Sequence, residues 1–349
     1  MRRVPITRPA SLTRVAALAL ETGRWNGLVS RVLASAFAGV AARGLVRPAS
    51  VPEAVALVCV GGATLGGSGK TRVAIACARE LALLGAQVAV VGHAYRVAPR
   101  MPRVVRPDDA LADVGDEAIV CARALEASNV RVVIGPTRQA AIDHAARLSP
   151  APDVLVLDGP IGVRGRSGAR ALSLLAVDAN RPWGSGRLPP AGDLRAPREA
   201  LLARADHVVP VEPTPARVRW DSGEVMPISS LRGRSLGLFT AIARPDRLVR
   251  ALLASGIRPR EIVSVADHGP ASWARSRLAQ GQVDAWIATE KCGLHLAGEV
   301  LRVPLGILES DLRLPESVLD ALAALSFRPI SAAGGVPARG ALTPRMLQP

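Results

Sequence analysis

Gly66, Gly67, Ser68 and Gly69 lead without interruption into Lys70 and Thr71. Glycines at such a turn let backbone N–H groups point inward. A lysine ammonium there can neutralise β- and γ-phosphate charge, and a threonine hydroxyl can ligate Mg²⁺. An apolar run precedes the turn and a helical stretch follows it, as this chemistry requires, and the helix N-terminus adds its own dipole. The strict G-x-x-x-x-G-K-[ST] spacing fails at one place, where Thr64 stands at the first position. The stretch reads as a phosphate-binding loop for a nucleoside triphosphate. Leu65 stands where P-loop ATPases of the partitioning and cell-division type carry a second lysine, which weighs against a nucleotide switch without removing it.

Composition sharpens the reading of the lysine. Of 44 Lys+Arg only Lys70 and Lys291 are lysines, and a compact ammonium is not interchangeable with a guanidinium in a tight phosphate cradle. The formal charge of +15 follows from this drift toward arginine and is discounted as a partner signal. One Tyr and three Phe offer few platforms for base stacking, so no nucleic-acid partner is expected. The cysteines, Cys59, Cys77, Cys121 and Cys292, form no CxxC or CxxH pair, so neither a disulfide framework nor a zinc site is indicated and a reducing cytosol fits.

The elements that must position the loop alternate between strand and helix. AVALVCV (54–60), QVAVVGH (87–93), VRVVIG (130–135), DVLVLD (153–158) and LSLLAVD (172–178) are short apolar runs of the kind expected of buried parallel strands. TRVAIACARELALLG and GDEAIVCARALEAS read as helices between them. The expectation is a P-loop, doubly wound, mostly parallel α/β domain over residues 51–215, with ligands at the C-terminal ends of its strands. Residues 210–234, rich in Pro, Ser, Gly and Trp, read as a linker, and 216–330 as a second, smaller α/β domain. The tail 331–349 reads as loose.

Residues 11–46 read as helical and amphipathic, within an N-terminal segment over 1–50. The longest charge-free run there, 32–42, has 11 residues, short of the ~20 that cross a bilayer. A basic helix with Trp25 and Phe37 can lie in the headgroup plane or pack on the protein's own core, and both stay open on residues alone. The opening MRR and the short apolar stretch broken by Glu21 make a poor signal peptide, so no export is expected.

On residues alone, Asp116 and Glu117 read as acidic charges at a helix N-terminus, His268 as a loop histidine, and Asp158 as a strand-end carboxylate beside the phosphate loop. A wider match adds to this. VGGATLGGSGKTRVAIACARELALLGAQVAVVGHAYR resembles the opening of tetraacyldisaccharide 4'-kinase, the lipid A pathway enzyme, whose variant loop tolerates Thr at its first position. VGDEA (114–118), DVLVLDG (153–159), GRLPPAGDLRAP (186–197), RADHVV (204–209), TAIARPDRLVRALLASG (240–256), VADHGP (265–270) and ATEK (288–291) follow in the family's order, over roughly residues 50–310.

The resemblance implies ATP- and Mg²⁺-dependent phosphorylation of the 4'-hydroxyl of a lipid disaccharide 1-phosphate. It places the protein peripherally on the anionic cytoplasmic face of the inner membrane, with two α/β domains around a cleft and a membrane-seating N-terminal helix. No obligate protein partner is inferred. It gives Thr64, Gly66, Gly67, Ser68, Gly69, Lys70 and Thr71 to the nucleotide, and Thr71 with Asp158 to the metal. Asp116 becomes the catalytic carboxylate and His268 the partner that orients it, with Lys70 beside the transferred phosphate. Arg195 and Arg244 could grip the substrate's 1-phosphate or the nucleotide, and a solvated surface role stays open for each.

The pattern also breaks. The family usually carries Asp-Asp-Gly-Phe-Gln-His after the fourth strand, and this chain has DGPIGV, with Gly159 for the second Asp and Val163 for the His. Ala196, Cys292 and Gly269 replace an acidic residue, an Asp, and a His or aromatic. A divergent kinase, a kinase of altered acceptor, a decayed nucleotide-binding paralogue and a membrane-associated ATPase or switch are the readings this leaves.

Overall fold

The computed structural model describes residues 6–7, 12–92, 97, 99–164, 171–242, 244–265, 275–296 and 301–325. The tail 331–349 and His268 lie outside the described residues.

The chain opens with β1 (Ile6–Thr7), α1 (Leu12–Thr22), α2 (Leu28–Arg43) and β2 (Val46–Pro48). The single helical stretch expected over 11–46 is two helices, because Gly23 turns to a φ of 64° and ends the first. Burial on α2 runs opposite to that of an ordinary surface helix. Ala34 and Ala41 are its buried residues, while Leu28, Val29, Val32, Leu33, Phe37 and Val40 are exposed. Among the described residues, no helix is long and apolar enough to cross a membrane.

Next come β3 (Ala56–Gly62), α3 (Lys70–Leu83), β4 (Val88–Val91), β5 (Arg103–Val105), α4 (Leu111–Val114), α5 (Asp116–Leu125) and β6 (Arg131–Ile134). They are followed by α6 (Arg138–Ala146), β7 (Val154–Gly159), β8 (Gly162–Arg164), β9 (Ala171–Asp178), α7 (Arg198–Leu202) and β10 (His207–Val211). The sheet they build has the order β10-β9-β3-β7-β4-β6-β5, and only β5 runs antiparallel. Side chains alternate across it. Val58 and Val60 of β3 meet Val73, Cys77 and Leu81 of α3 on one face, and Leu57 and Cys59 meet Ile142 and Ala145 of α6 on the other. Helices on both faces are why these strands read as unbroken apolar runs. The small pair β2–β8 lies apart.

The rest comprises β11 (Pro215–Trp220), β12 (Val225–Pro227), β13 (Leu236–Thr240), α8 (Pro245–Ala254), β14 (Glu261–Ser264), α9 (Arg275–Gln280), β15 (Ala285–Thr289), α10 (Glu290–Leu294), β16 (Leu305–Ser310) and α11 (Glu316–Ala323). Their sheet has the order β1-β14-β13-β15-β16-β11-β12, so the chain's first strand joins its second sheet. The stretch 210–234 read as a linker holds β11 and β12. β11 is antiparallel to both its neighbours, with Val218 and Trp220 buried while Arg217 and Arg219 pair with Glu309. α11 leaves the sheet it follows: Val318 and Leu322 join the core around α3. Two of the backbone crossings between the halves, from β10 to β11 and from β16 to α11, lie side by side, since Thr214 Oγ1 donates to the Asp311 carbonyl at 3.3 Å and Arg72 Nη1 to that of Glu212 at 3.1 Å; the chain also crosses after β1.

Candidate active site

The loop between β3 and α3 is held from both sides. Gly69, the residue before α3, has a φ of 82°, and a Cβ on it would lie 2.5 Å from Val211 Cγ1, so backbone hand and space both demand glycine. Thr64 is buried and its hydroxyl donates to the Gly66 carbonyl at 2.8 Å, which gives the variant first position a structural part in the turn. Leu65 N–H donates to the Asp193 carbonyl at 2.9 Å and Arg195 N–H to that of Ala63 at 2.8 Å. The segment GRLPPAGDLRAP therefore braces the outer edge of the loop. Arg195 Nη2 also reaches the Thr64 carbonyl at 3.4 Å.

Asp158 stands at the end of β7, in register with Val60 of β3, which aims its carboxylate at the start of α3. Thr71 Oγ1 donates to Asp158 Oδ2 at 2.6 Å, and Lys70 Nζ lies 3.6 Å from Asp158 Oδ1 and 3.6 Å from Glu117 Oε2. Asp158 raises the Lys70 pKa above its ordinary value; burial opposes this and Glu117 adds to it. Thr71 and Asp158 could hold Mg²⁺, which takes hard oxygen donors. Asp158 Oδ1 is buried without a hydrogen-bond donor, which fits that use.

The other half contributes α10. Its first turn is capped by Thr289, which accepts from Cys292 N–H. Lys291 and His295, four residues apart, share one helix face. Lys291 Nζ lies 3.7 Å from Asp116 Oδ2 and 3.6 Å from Glu117 Oε1, and His295 Nε2 lies 3.2 Å from Asp116 Oδ2. Asp116 opens α5 and is 4% exposed. The chain's two lysines thus flank one carboxylate, Glu117, from opposite halves.

The structure brings Lys70, Thr71, Asp158 and Asp116 into one cluster. Lys291 and His295 belong to it although neither was expected as a site residue. The rarity of lysine pointed to Lys291, and the four-residue spacing was the available signal for His295. Arg244 lines the cleft, yet its guanidinium is engaged by Asp193 and, at 3.3 Å, by Asp178, and it is buried. In this arrangement it is a strut between the halves rather than an open phosphate grip. At the divergent position, Gly159 takes a φ of 125°, and a Cβ there would lie 3.0 Å from Arg138 Nη2. A cation occupies the surroundings where the family usually has its second carboxylate.

A cleft of about 1840 Å³ runs between the halves. Lys70, Asp158, Glu117 and Lys291 of the charged cluster line it, and so do Phe37 and Val40 of α2.

A family profile described as Tetraacyldisaccharide-1-P 4'-kinase matches residues 27–325. The chain belongs to this family. It is 34% identical over 292 residues to the tetraacyldisaccharide 4'-kinase of Nitrobacter winogradskyi, covering 78% of this chain and 82% of that relative. The tetraacyldisaccharide 4'-kinase of Dinoroseobacter shibae is 30% identical over 329 residues, 85% of this chain and 93% of that one. Among solved structures, the "apo" form LpxK from Aquifex aeolicus in complex with ATP superposes with a TM-score of 0.62 at 20% identity, covering 89% of this chain and 98% of that one. That likeness shows the shared kinase-family fold.

Proposed function

We propose that this chain transfers the γ-phosphoryl group of ATP to the 4'-hydroxyl of a tetraacyldisaccharide 1-phosphate, seated peripherally on the cytoplasmic face of the inner membrane. The observation that carries the reading is the continuity of the cleft. Its walls include both the Lys70, Asp158 and Glu117 charges and Phe37 and Val40 of the outward-facing apolar helix. An acceptor with a sugar head and acyl chains matches a cleft with both kinds of wall. The working division is a membrane-seating segment over 1–50, a nucleotide half over 51–215 and an acceptor-side half over 216–330, with β1 joined to the acceptor-side half and α11 returned to the nucleotide half.

Phosphoryl transfer depends mainly on positioning and charge neutralisation. Lys70 and the amides of Gly66–Thr71 hold the β- and γ-phosphates, and the α3 N-terminus contributes its partial positive charge. Mg²⁺ on Thr71 and Asp158 would supply further neutralisation of phosphate charge. The 4'-hydroxyl oxygen forms its bond to the γ-phosphorus as the bond from that phosphorus to the β,γ-bridging oxygen breaks. The hydroxyl proton passes to the Asp116 carboxylate, and ADP leaves. Lys291, beside both Asp116 and Glu117, neutralises charge on the acceptor side of the cluster.

The test is transfer from labelled ATP to lipid disaccharide 1-phosphate in detergent. Label on the lipid, abolished by Lys70→Ala and by Asp116→Ala, supports the kinase. ATP consumption indifferent to added lipid would mark a membrane-associated ATPase instead. Gly159, where a second carboxylate is usual, is the observation that favours a nucleotide binder without turnover; that reading predicts ATP uptake and no labelled lipid.

A further inference from the structure

We propose that His295, a residue distinct from the His268 to which the family resemblance gives this part, is a positioning residue for the Asp116 carboxylate, fixing the orientation in which it takes the acceptor's proton, and that it does so from the opposite half of the molecule. The inference rests on the reading of Asp116 as proton acceptor. His295 Nε2 lies 3.2 Å from Asp116 Oδ2, with side-chain exposures of 9% and 4%, so the contact is shielded from water and from screening. Lys291, one turn earlier on the same helix, reaches the same oxygen at 3.7 Å. Both contacts fall on Oδ2. Two groups on one edge of a carboxylate select one rotation of the group, which a single backbone anchor on α5 does not.

The helix that carries them is itself fixed. Cys292 is buried, and its sulfur meets Ala241 N–H at 3.1 Å and the Thr289 hydroxyl at 3.0 Å, tying α10 to the end of β13. His295 N–H donates to the Cys292 carbonyl at 3.1 Å, so the ring hangs from a closed last turn. Asp116 belongs to the half that carries the phosphate loop and His295 to the half across the cleft. The base is therefore oriented across the interface between the halves, and the same helix sets Lys291 beside Glu117.

The charged groups around this contact include Asp116 itself, Lys291 beside Asp116 and Glu117, and Lys70 on the far side of Glu117. The imidazole donates Nε2–H to the carboxylate, so a change at this contact is read in the pH dependence of kcat/KM.

The full-length protein is assayed for transfer of labelled phosphate to lipid disaccharide 1-phosphate in detergent, between about pH 5 and 8, where imidazoles titrate. His295→Leu removes the donor. His295→Gln keeps an N–H donor that does not titrate. The expected result is a kcat for His295→Leu lowered by at least about 10-fold, a part of the ~10²–10⁴-fold that a positioned base supplies, with the KM for ATP held within about 2-fold. His295→Gln is expected to recover most of kcat at the plateau while the acidic limb moves. A merely structural role would leave the limb in place. Wild-type kcat and an unmoved limb in His295→Gln, with Asp116→Ala inactive, overturn the inference alone, and His295→Gln decides the matter if His295→Leu fails to fold. Full transfer by Asp116→Ala would overturn the reading of Asp116 itself.

Discussion

Arg247 of α8 donates a guanidinium N–H to the backbone carbonyl of Gly67, a residue 180 positions earlier in the chain. Its second terminal nitrogen bonds the Val211 carbonyl at 2.7 Å, so one side chain from the acceptor-side half holds both the phosphate loop and the end of β10. The loop's shape is a property of both halves together.

Arg247→Met should therefore weaken nucleotide binding without touching a phosphate. Hydrogen bonds to charged groups contribute about 1.5–3 kcal/mol, so the affinity for Mg-ATP should fall by about 10-fold or more. Titration calorimetry measures it. Arg250→Ala, which removes an exposed pair with Asp246 at 3.4 Å, should stay within about 2-fold and serves as the control.

Restoring the family's usual residue at position 159 should harm this chain. Gly159→Asp places a side chain at a φ of 125° and against Arg138 Nη2. Strain at such a backbone position costs about 1–3 kcal/mol, so thermal denaturation should show a lowered Tm, and transfer activity should not rise. A rise in activity at unchanged Tm would contradict the geometry described for Gly159.

The outward face of α2 should bind lipid. Leu33→Glu with Phe37→Glu replaces two exposed apolar side chains by charges. Burying one such side chain contributes about 1.5–3 kcal/mol, so flotation with anionic vesicles should show binding reduced by at least about 10-fold. The melting temperature should stay near wild type, because neither residue belongs to the core.

Glu21 of α1 gives a pH dependence with a definite sign. Burial pushes its carboxyl from 4.5 up to about 7, with Arg244 opposing and Asp193 adding to the rise. Below pH 4.5 the folded and unfolded chains both hold the proton. Between 4.5 and about 7 the unfolded chain releases it first, so stability is full at the low end of this window and declines as pH rises through it. Glu21→Gln should melt like wild type near the bottom of the window and above it at the top. Equal melting curves at every pH would show that Glu21 does not titrate in this way.

The sequence disclosed the nucleotide half better than the rest, and the reasons are physical. Strands such as Val154–Gly159 are covered on both faces, so each is a continuous apolar run, and the loop's glycines announce the turn. β11 escaped notice because it is antiparallel and alternates buried Val218 and Trp220 with Arg217 and Arg219, inside a stretch whose Pro and Gly suggested a connection. Asp116 and Asp158 were legible through the motifs around them. His295 was not, because its contact with Asp116 spans 179 positions and leaves no local trace beyond its spacing from Lys291. The carboxylate partners of Arg244 were hidden for the same reason: Asp178 and Asp193 lie 66 and 51 positions from it.

The return of α11 to α3 lays a second ribbon between the halves beside the first, and β1 adds a third passage by joining the second sheet. With Thr214 bonded to Asp311 and Arg72 to Glu212, the ribbons form a broad strap beside the start of α3. A strap of that width bends readily about a line across it and resists torsion. Joined along that width and again through β1, the halves hold α10 in one rotational setting against α5.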